Sequence, residues 1–168
     1  VRKITGTAGA KYTPEDIADT PFEEIVARAK AGNPEAQLYL ARGHSGSIGG
    51  GVPHNRQESH KWYVAAATNN VPEAQLYLGR YYCDQVVATK GLSAADKTKR
   101  FQLATTALNW LLKAAKQGSF QAYVELGNEF ESGKIFAQDL VEAYKWYHLA
   151  IEKGGNVIIA PTNRRNAL

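Results

Sequence analysis

The heptapeptide PEAQLYL occurs twice in this chain, at Pro34 to Leu40 and again at Pro72 to Leu78. A weaker third copy, FQAYVEL, runs from Phe120 to Leu126. Each copy is followed, after a loop, by a segment that contains a tryptophan: HKWYVAAATNN, LNWLLKAAKQG or YKWYHLAIEKG. Self-similarity with a period of roughly 20 to 50 residues is typical of repeat proteins, so these copies decide the fold class.

Both segments of each copy have the apolar spacing of an amphipathic helix. In the first segment an alanine precedes a leucine by four residues, and a small residue follows directly: Ala36, Leu40 and Ala41; Ala74, Leu78 and Gly79; Ala122, Leu126 and Gly127. In the second segment a small residue, a tryptophan and an alanine recur: Ser59, Trp62 and Ala66; Ala107, Trp110 and Ala114; Ala143, Trp146 and Ala150. We expect the tryptophans to fill the core and the small residues to let the helices pair closely.

Residues that tolerate a left-handed helix end stand at equivalent places, namely Gly32, Asn70, Gly118 and Gly154. The middle interval is about a dozen residues longer than the others, which indicates an insertion near residues 86–102, either as a loop or as a helix extension that begins at Ser93 with Asp96. We predict one helical-repeat domain over residues 1–168. It comprises an N-terminal extension (1–13), an incomplete first repeat (14–33), repeats at 34–70, 71–118 and 119–156, and a C-terminal cap segment (157–168).

The spacing Gly49-x-Gly51-Val52-x-x-Asn55-x-x-x-Ser59-x-x-Trp62-x-x-x-Ala66 resembles the signature of the Sel-one-like repeat (SLR), a relative of the tetratricopeptide repeat. The third copy keeps Gly133, Asp139, Ala143, Trp146 and Ala150 in register, with Ile135 and Phe136 at the positions of the second glycine and the valine. The middle copy departs most, since Leu103 replaces the usual acidic residue. The resemblance covers about residues 21–156. It implies an all-α fold, a right-handed superhelical α/α solenoid of antiparallel helix pairs.

Composition excludes several classes. A net charge of +4 with 44% apolar residues indicates a globular chain, and no run approaches the roughly 18 apolar residues of a membrane span. The basic residues are scattered apart from Lys97, Lys99 and Arg100 and the pair Arg164–Arg165, so we expect no nucleic-acid partner. Cys83 is the single cysteine and cannot form an internal disulfide. The chain begins at Val1 and contains no methionine, so we expect the natural N-terminus to lie upstream.

No catalytic or metal-binding motif is visible. The stretch SGSIGGGVP lacks the Gly-Lys-Ser/Thr ending of a phosphate loop, and the four histidines do not form the i, i+4 pair of a zinc protease. A penicillin-binding hydrolase would need a Ser-x-x-Lys set, which is missing. We therefore expect a non-enzyme with no cofactor and no metal, and we interpret Cys83 as a packed thiol.

The candidate binding residues lie opposite the core stripe of the first helices. Offsets of three and six from the repeating alanine give Tyr39 and Arg42, Tyr77 and Arg80, and Glu125 and Asn128, with Tyr81 bordering them. Stacked repeats would align these side chains on the face that is concave in relatives, and tyrosine and arginine are enriched at binding hot spots. The alternative is that Tyr39 and Tyr77 pack against neighbouring repeats.

The resemblance implies a protein–protein interaction module, an adaptor or scaffold whose partner is a bacterial envelope protein. The alternative is an immunity-type inhibitor that neutralises a secreted bacterial toxin or effector, which the short chain and the insertion favour; hydrolase or penicillin-binding activity is the weakest reading. A periplasmic or secreted location is slightly favoured over the cytoplasm. A homodimer formed through the exposed ends of the array is also open.

Overall fold

The computed structural model describes residues 20–48 and 52–153, and within these ranges it contains seven α-helices and no strand. They are α1 (Phe22–Lys30), α2 (Pro34–Ser45), α3 (Arg56–Thr68), α4 (Pro72–Ala88), α5 (Ala94–Lys116), α6 (Phe120–Ser132) and α7 (Leu140–Glu152). The predicted all-α fold is confirmed. The expectations for residues 1–13 and 157–168, for Gly49 and Gly51, and for Gly154 lie outside the described residues.

The chain forms two compact units. Unit 1 is Val1–Leu78 and unit 2 is Gly79–Leu168. In unit 1, α2 packs against α1 and α3; in unit 2, α6 packs against α5 and α7. Short connections between consecutive helices make these pairs antiparallel.

Local chemistry explains where the helices begin and end. The Asn33 side chain accepts a hydrogen bond from the Ala36 amide, and Asp139 accepts from the amides of Val141 and Glu142. Gly32, Asn70 and Gly118 have positive φ angles of 93°, 65° and 82° at helix ends, as the sequence predicts.

The insertion in the middle repeat is absorbed by longer helices. Helix α4 has 17 residues and α5 has 23, whereas α2 has 12 and α3 has 13. Helix α5 begins behind Ser93, whose hydroxyl accepts a hydrogen bond from the Asp96 amide while the Asp96 carboxylate accepts from the Ser93 amide. This capping box marks the helix start that the sequence indicates at Ser93 and Asp96. The inserted residues therefore lengthen α4 and α5 on either side of a short loop.

The repeated small residues allow close helix contacts. In unit 2, a Cβ built on Gly79 would lie 2.5 Å from Cδ2 of Leu111, and one built on Gly127 would lie 2.5 Å from Cε1 of Tyr147. At the equivalent place in unit 1, the Ser59 hydroxyl donates to the Ala41 carbonyl over 2.8 Å. The second helix of each of these repeats therefore packs directly against the small residue of the first helix.

One expectation about the core is wrong. Only Trp62 is buried, whereas Trp110 and Trp146 are partly exposed. The residue after each tryptophan is buried in all three copies: Tyr63, Leu111 and Tyr147. In unit 2 the physical reason is that Leu111 faces Gly79 and Tyr147 faces Gly127, the small residues of the first helices. The tryptophans pack beside these buried residues, with Lys113 Nζ lying 4.2 Å from the centroid of the Trp110 ring.

Candidate protein-binding surface

In unit 1, Arg42 of α2 binds the carboxylate of Glu73 at the start of α4. Arg42 Nε lies 2.7 Å from Glu73 Oε1, and Arg42 Nη2 lies 2.6 Å from Oε2, so the pair is bidentate. Both side chains are 42% exposed, which leaves a partner access to the charges. An ion pair this exposed contributes on the order of 0.2–1 kcal/mol to stability. It favours one orientation of Arg42 without fixing it.

Two tyrosines stack beside this pair. The rings of Tyr63 on α3 and Tyr77 on α4 have centroids 3.8 Å apart and are inclined by 14°, and His60 lies 6.0 Å from Tyr77. Burial raises the pKa of the Tyr63 hydroxyl and the Glu73 carboxylate raises it further, although a hydrogen bond to Ser45 acts in the opposite direction. The ring of Tyr77 therefore packs against Tyr63 of the preceding repeat.

In unit 2, Arg80 of α4 binds Glu125 of α6. Arg80 Nε lies 2.7 Å from Glu125 Oε1, and Nη2 contacts the same oxygen. Arg80 is 52% exposed and Glu125 is half as exposed. Each predicted arginine thus links the first helix of one repeat to the first helix of the next repeat.

An excess of carboxylates surrounds the Arg80–Glu125 pair. Burial raises the pKa of Glu129, and the nearby charges of Glu125 and Asp84 raise it further, while Lys134 opposes them. One oxygen of Glu129, Oε2, is buried with no hydrogen-bond partner in the described part of the chain. The field at this part of unit 2 is negative.

Cys83 lies next to these carboxylates. Burial raises the pKa of the thiol to about 12, with additional contributions from Glu129, Glu125 and Asp84. A thiol in this environment stays protonated at neutral pH and is a poor nucleophile or metal ligand. The surroundings favour the packed-thiol interpretation.

Asn128 accepts a hydrogen bond from the Tyr147 hydroxyl over 2.8 Å, and Glu131 accepts from the same hydroxyl over 2.8 Å. Burial raises the pKa of Tyr147 and the hydrogen bond to Glu131 adds to it. Asn128 is itself exposed, so its free amide end remains available to solvent. Here too a predicted binding residue has an intramolecular contact.

The structure distributes the seven predicted binding residues over both units. Tyr39, Arg42 and Tyr77 lie in unit 1, while Arg80, Tyr81, Glu125 and Asn128 lie in unit 2. Tyr39 is partly buried on α2, and Tyr81 makes an edge-to-face contact with Tyr82, with centroids 5.5 Å apart. We call Tyr39, Arg42, Glu73 and Tyr77 the Arg42 surface, and Arg80, Tyr81, Glu125, Asn128 and Glu129 the Arg80 surface.

Glu73, Glu129 and Tyr63 were not predicted from the sequence. Glu73 is in the PEAQLYL copy itself, one residue before the repeating alanine, and it lies 31 residues from Arg42 along the chain. A search for opposite charges between equivalent helices would have found the Arg42–Glu73 pair. Nothing in the sequence would have found the unpaired Glu129 oxygen.

The described residues contain no group of three or more His, Cys, Asp or Glu side chains that could hold a metal ion. Along the same residues, none of the helices combines the length and the hydropathy needed to cross a bilayer.

These features define a class: an all-helical repeat protein whose first helices present ion-paired arginines and tyrosines at the surface. The sequence matches the Sel1 repeat family over residues 34–71, 72–87, 101–119 and 121–155. The chain belongs to the Sel1 repeat family. Proteins of this family generally mediate protein–protein interactions and are typically non-catalytic scaffolds.

Solved structures agree with this assignment. A Sel1 repeat protein from Oxalobacter formigenes is similar with a TM-score of 0.60 and 28% identity, over 80% of this chain and 90% of that one. A protective antigen of uropathogenic Escherichia coli strains, which displays an SLR fold, is similar with a TM-score of 0.60 and 30% identity. That match covers 86% of this chain but only 27% of the antigen. No significant match was found among curated proteins.

Proposed function

We propose that this protein is an adaptor that binds a partner protein through the Arg42 surface and the Arg80 surface. The observation that carries the proposal is that both predicted arginines are half-exposed and held in place by a glutamate of the next repeat. A guanidinium whose orientation is already restricted in part loses less conformational entropy when a partner binds. Tyrosine rings beside it supply rigid apolar contact area.

The ion pairs do not use up the binding capacity of these arginines. Arginine carries five N–H donors in a planar fork, and the pairs engage Nε and Nη2. The remaining donors can bind a carbonyl or carboxylate of the partner. The Glu73 and Glu125 carboxylates can in turn accept hydrogen bonds from partner side chains, so each pair offers charges of both signs.

The experiment compares partner capture by the wild-type chain with capture by an Arg42→Ala/Arg80→Ala variant. Immobilised protein is exposed to lysate and periplasmic extract of its own source, and bound proteins are identified by mass spectrometry. The captured partner is then purified and titrated against both proteins. Because truncation of central arginines at interfaces often costs 1–2 kcal/mol or more, we expect about a tenfold or greater loss of affinity.

The matched control is Lys61→Ala/Lys145→Ala, which removes the same charge and one exposed ion pair from each unit, with Glu58 and Glu142 respectively. These lysines lie on α3 and α7, which contribute no residue to either proposed surface. Equal capture by both double variants, with unchanged affinity for the purified partner, would overturn the assignment of the surfaces.

The second candidate function is an immunity-type inhibitor of a secreted bacterial toxin or effector. The helix extension in the middle repeat favours it, since the first nine residues of α5 are almost entirely exposed and could reach into a partner's active site. Co-expression with a candidate toxin encoded next to this gene tests the idea. Restored growth together with a purified complex would support the inhibitor, and toxicity in the presence of soluble protein would contradict it.

The remaining alternative is that the chain is an enzyme, a hydrolase with penicillin-binding activity. Incubation with a fluorescent β-lactam, followed by mass spectrometry, tests it directly. A covalent adduct at one serine would overturn the proposal that this chain is a non-enzymatic adaptor.

The proposed homodimer has a candidate surface on α7. Leu140, Val141, Tyr144 and Ile151 are exposed on one side of this helix. A second copy that covers this stripe would remove apolar area from water. Light scattering of the wild-type chain and of a Tyr144→Lys variant tests this: a dimer that becomes a monomer supports the surface, and a monomer in both cases contradicts it.

A further inference from the structure

The helix extension in unit 2 carries an exposed apolar and basic cluster that the proposed binding surfaces do not include. Its apolar members are Val87 at the end of α4, Leu92 in the loop that follows and Phe101 about two turns into α5. Leu92 is 82% exposed, Phe101 is 74% exposed and Val87 is 63% exposed. We call these residues, together with Lys90, Lys97, Lys99 and Arg100, the insertion surface.

The exposure of Phe101 is not an end effect of a short helix. Helix α5 continues for 15 residues beyond it, and its buried residues begin only at Ala107. Residues 94–102 are exposed throughout except for Asp96, which takes part in the capping box. The helix start therefore projects from the body of unit 2 with an aromatic side chain in water. A ring left 74% exposed in a capped, regular helix is accessible to a partner.

The charges around this ring have one sign. Residues 90–102 contain four basic residues and one acidic residue, so the net charge of the stretch is +3. All four basic side chains are exposed, and within the described residues none of them takes part in a salt bridge. The acidic residue, Asp96, already accepts hydrogen bonds from Ser93. The positive potential is thus uncompensated.

One cation and the exposed aromatic ring share a face of α5. Lys97 precedes Phe101 by four residues, so on a helix the two side chains are neighbours on the same side. Thr105 continues this side, four residues after Phe101, and its hydroxyl is turned back to the Phe101 carbonyl over 2.9 Å. A ligand lying along this side of α5 would meet a positive charge and an aromatic ring within one helical turn.

We propose that the insertion surface binds an acidic protein segment that places apolar side chains against Phe101 and Leu92. Carboxylates of the segment would pair with Lys97 and Arg100, and its apolar residues would remove the exposed rings and methyl groups from water. Charge complementarity selects such a segment and increases its rate of association. The surface uses no residue of the Arg42 or Arg80 surface, so it can be tested independently of the proposed adaptor function.

The test is a selection from a displayed library of random 12-residue peptides on the immobilised chain, with counter-selection on a Phe101→Ala/Lys97→Glu variant. Peptides that survive are synthesised and titrated by fluorescence anisotropy. We expect them to be acidic and to contain Leu, Phe or Trp. We also expect affinity to fall at least about tenfold in the single variants Phe101→Ala and Lys97→Glu, and to weaken between 0.1 and 0.5 M salt because the pairs are exposed.

The matched controls are Lys116→Glu, a charge reversal at the other end of the same helix, and Phe22→Ala, which removes an exposed aromatic ring from α1. Both should bind the selected peptides like the wild-type chain, and circular dichroism should show equal helicity for all variants. Recovery of no peptides, of basic peptides, or of peptides indifferent to Phe101 and Lys97 would overturn the proposal. So would binding to vesicles of phosphatidylglycerol and phosphatidylcholine in preference to the acidic peptides, since that would assign the surface to a membrane.

Discussion

Gly127 of α6 and Tyr147 of α7 are so close that no side chain fits between them, because a Cβ on Gly127 would lie 2.5 Å from Cε1 and 2.7 Å from Cδ1 of the tyrosine ring. The ring cannot easily move away, since its hydroxyl donates to Asn128 and Glu131. This contact sets the distance between the two helices of the last repeat. It also predicts that adding one methyl group at position 127 lowers the free energy of unfolding.

Replacing Gly127 by alanine should destabilise unit 2. Alanine gains up to about 1 kcal/mol of helix propensity over glycine, but overpacking a core typically costs about 1–3 kcal/mol. We expect a net loss of about 1 kcal/mol in the free energy of unfolding, measured by urea denaturation. The same change in a Tyr147→Ala background should lose this penalty. Gln121→Ala, an exposed change on α6, serves as the control.

Replacing Gln37 by leucine should destabilise unit 1 although leucine is apolar and the site is buried. The Gln37 amide donates to the Ala29 carbonyl over 3.0 Å, and its oxygen accepts from Asn69 over 2.8 Å. Leucine would remove both hydrogen bonds, while the Ala29 carbonyl keeps the Gly32 amide as a donor at 3.1 Å, so we expect a loss of about 0.5–1.5 kcal/mol for each bond removed. Thermal unfolding measures the effect against Gln57→Leu on the exposed side of α3. Equal melting temperatures for the two variants would contradict the role of this hydrogen bond.

The carboxyl of Glu129 should make unit 2 less stable as the pH rises. Burial raises its pKa in the folded chain above the ordinary 4.5, with further contributions from Glu125 and Asp84. The folded state then binds more protons than the unfolded state, so stability is lost between pH 4.5 and the raised folded pKa. Glu129→Gln should therefore be more stable than the wild type at pH 7 and gain nothing below pH 4. The free energy of unfolding is measured at several pH values, with Glu152→Gln as the control. A Glu129→Gln variant that is less stable than the wild type at pH 7 would contradict the prediction.

Cys83 should react slowly with alkylating reagents. Its pKa is raised to about 12, first by burial and then by the charges of Glu129, Glu125 and Asp84, so the thiolate is rare at pH 7.4. We expect alkylation by iodoacetamide to be at least about 100-fold slower in the folded chain than in guanidinium. Glu129→Gln should accelerate the folded reaction, because it removes one of the charges. Rapid labelling of the folded wild type would show that the thiol is accessible and ionised.

The candidate surfaces were predicted only in part. Tyr39, Arg42, Tyr77 and Arg80 follow from helical offsets, and they do lie on the first helices as expected. Their partners do not follow from the offsets. Arg42 pairs with Glu73, one residue before the repeating alanine, but Arg80 pairs with Glu125, three residues after it. The two arginines occupy equivalent positions in their repeats, but the glutamates that they bind occupy different repeat positions.

The sequence by itself determined the repeat, the helix type and most helix ends, because these depend on local interactions: apolar spacing of 3.6 residues, side chains that cap amides, and residues that accept a positive φ angle. The tertiary structure decided which aromatic residue is buried, how deeply Cys83 and Glu129 are enclosed, and which glutamate each arginine binds. These outcomes depend on the rotation and spacing of one helix against the next. A small residue such as Gly79 or Gly127 permits the approach, but the packed partner, Leu111 or Tyr147, fixes the rotation.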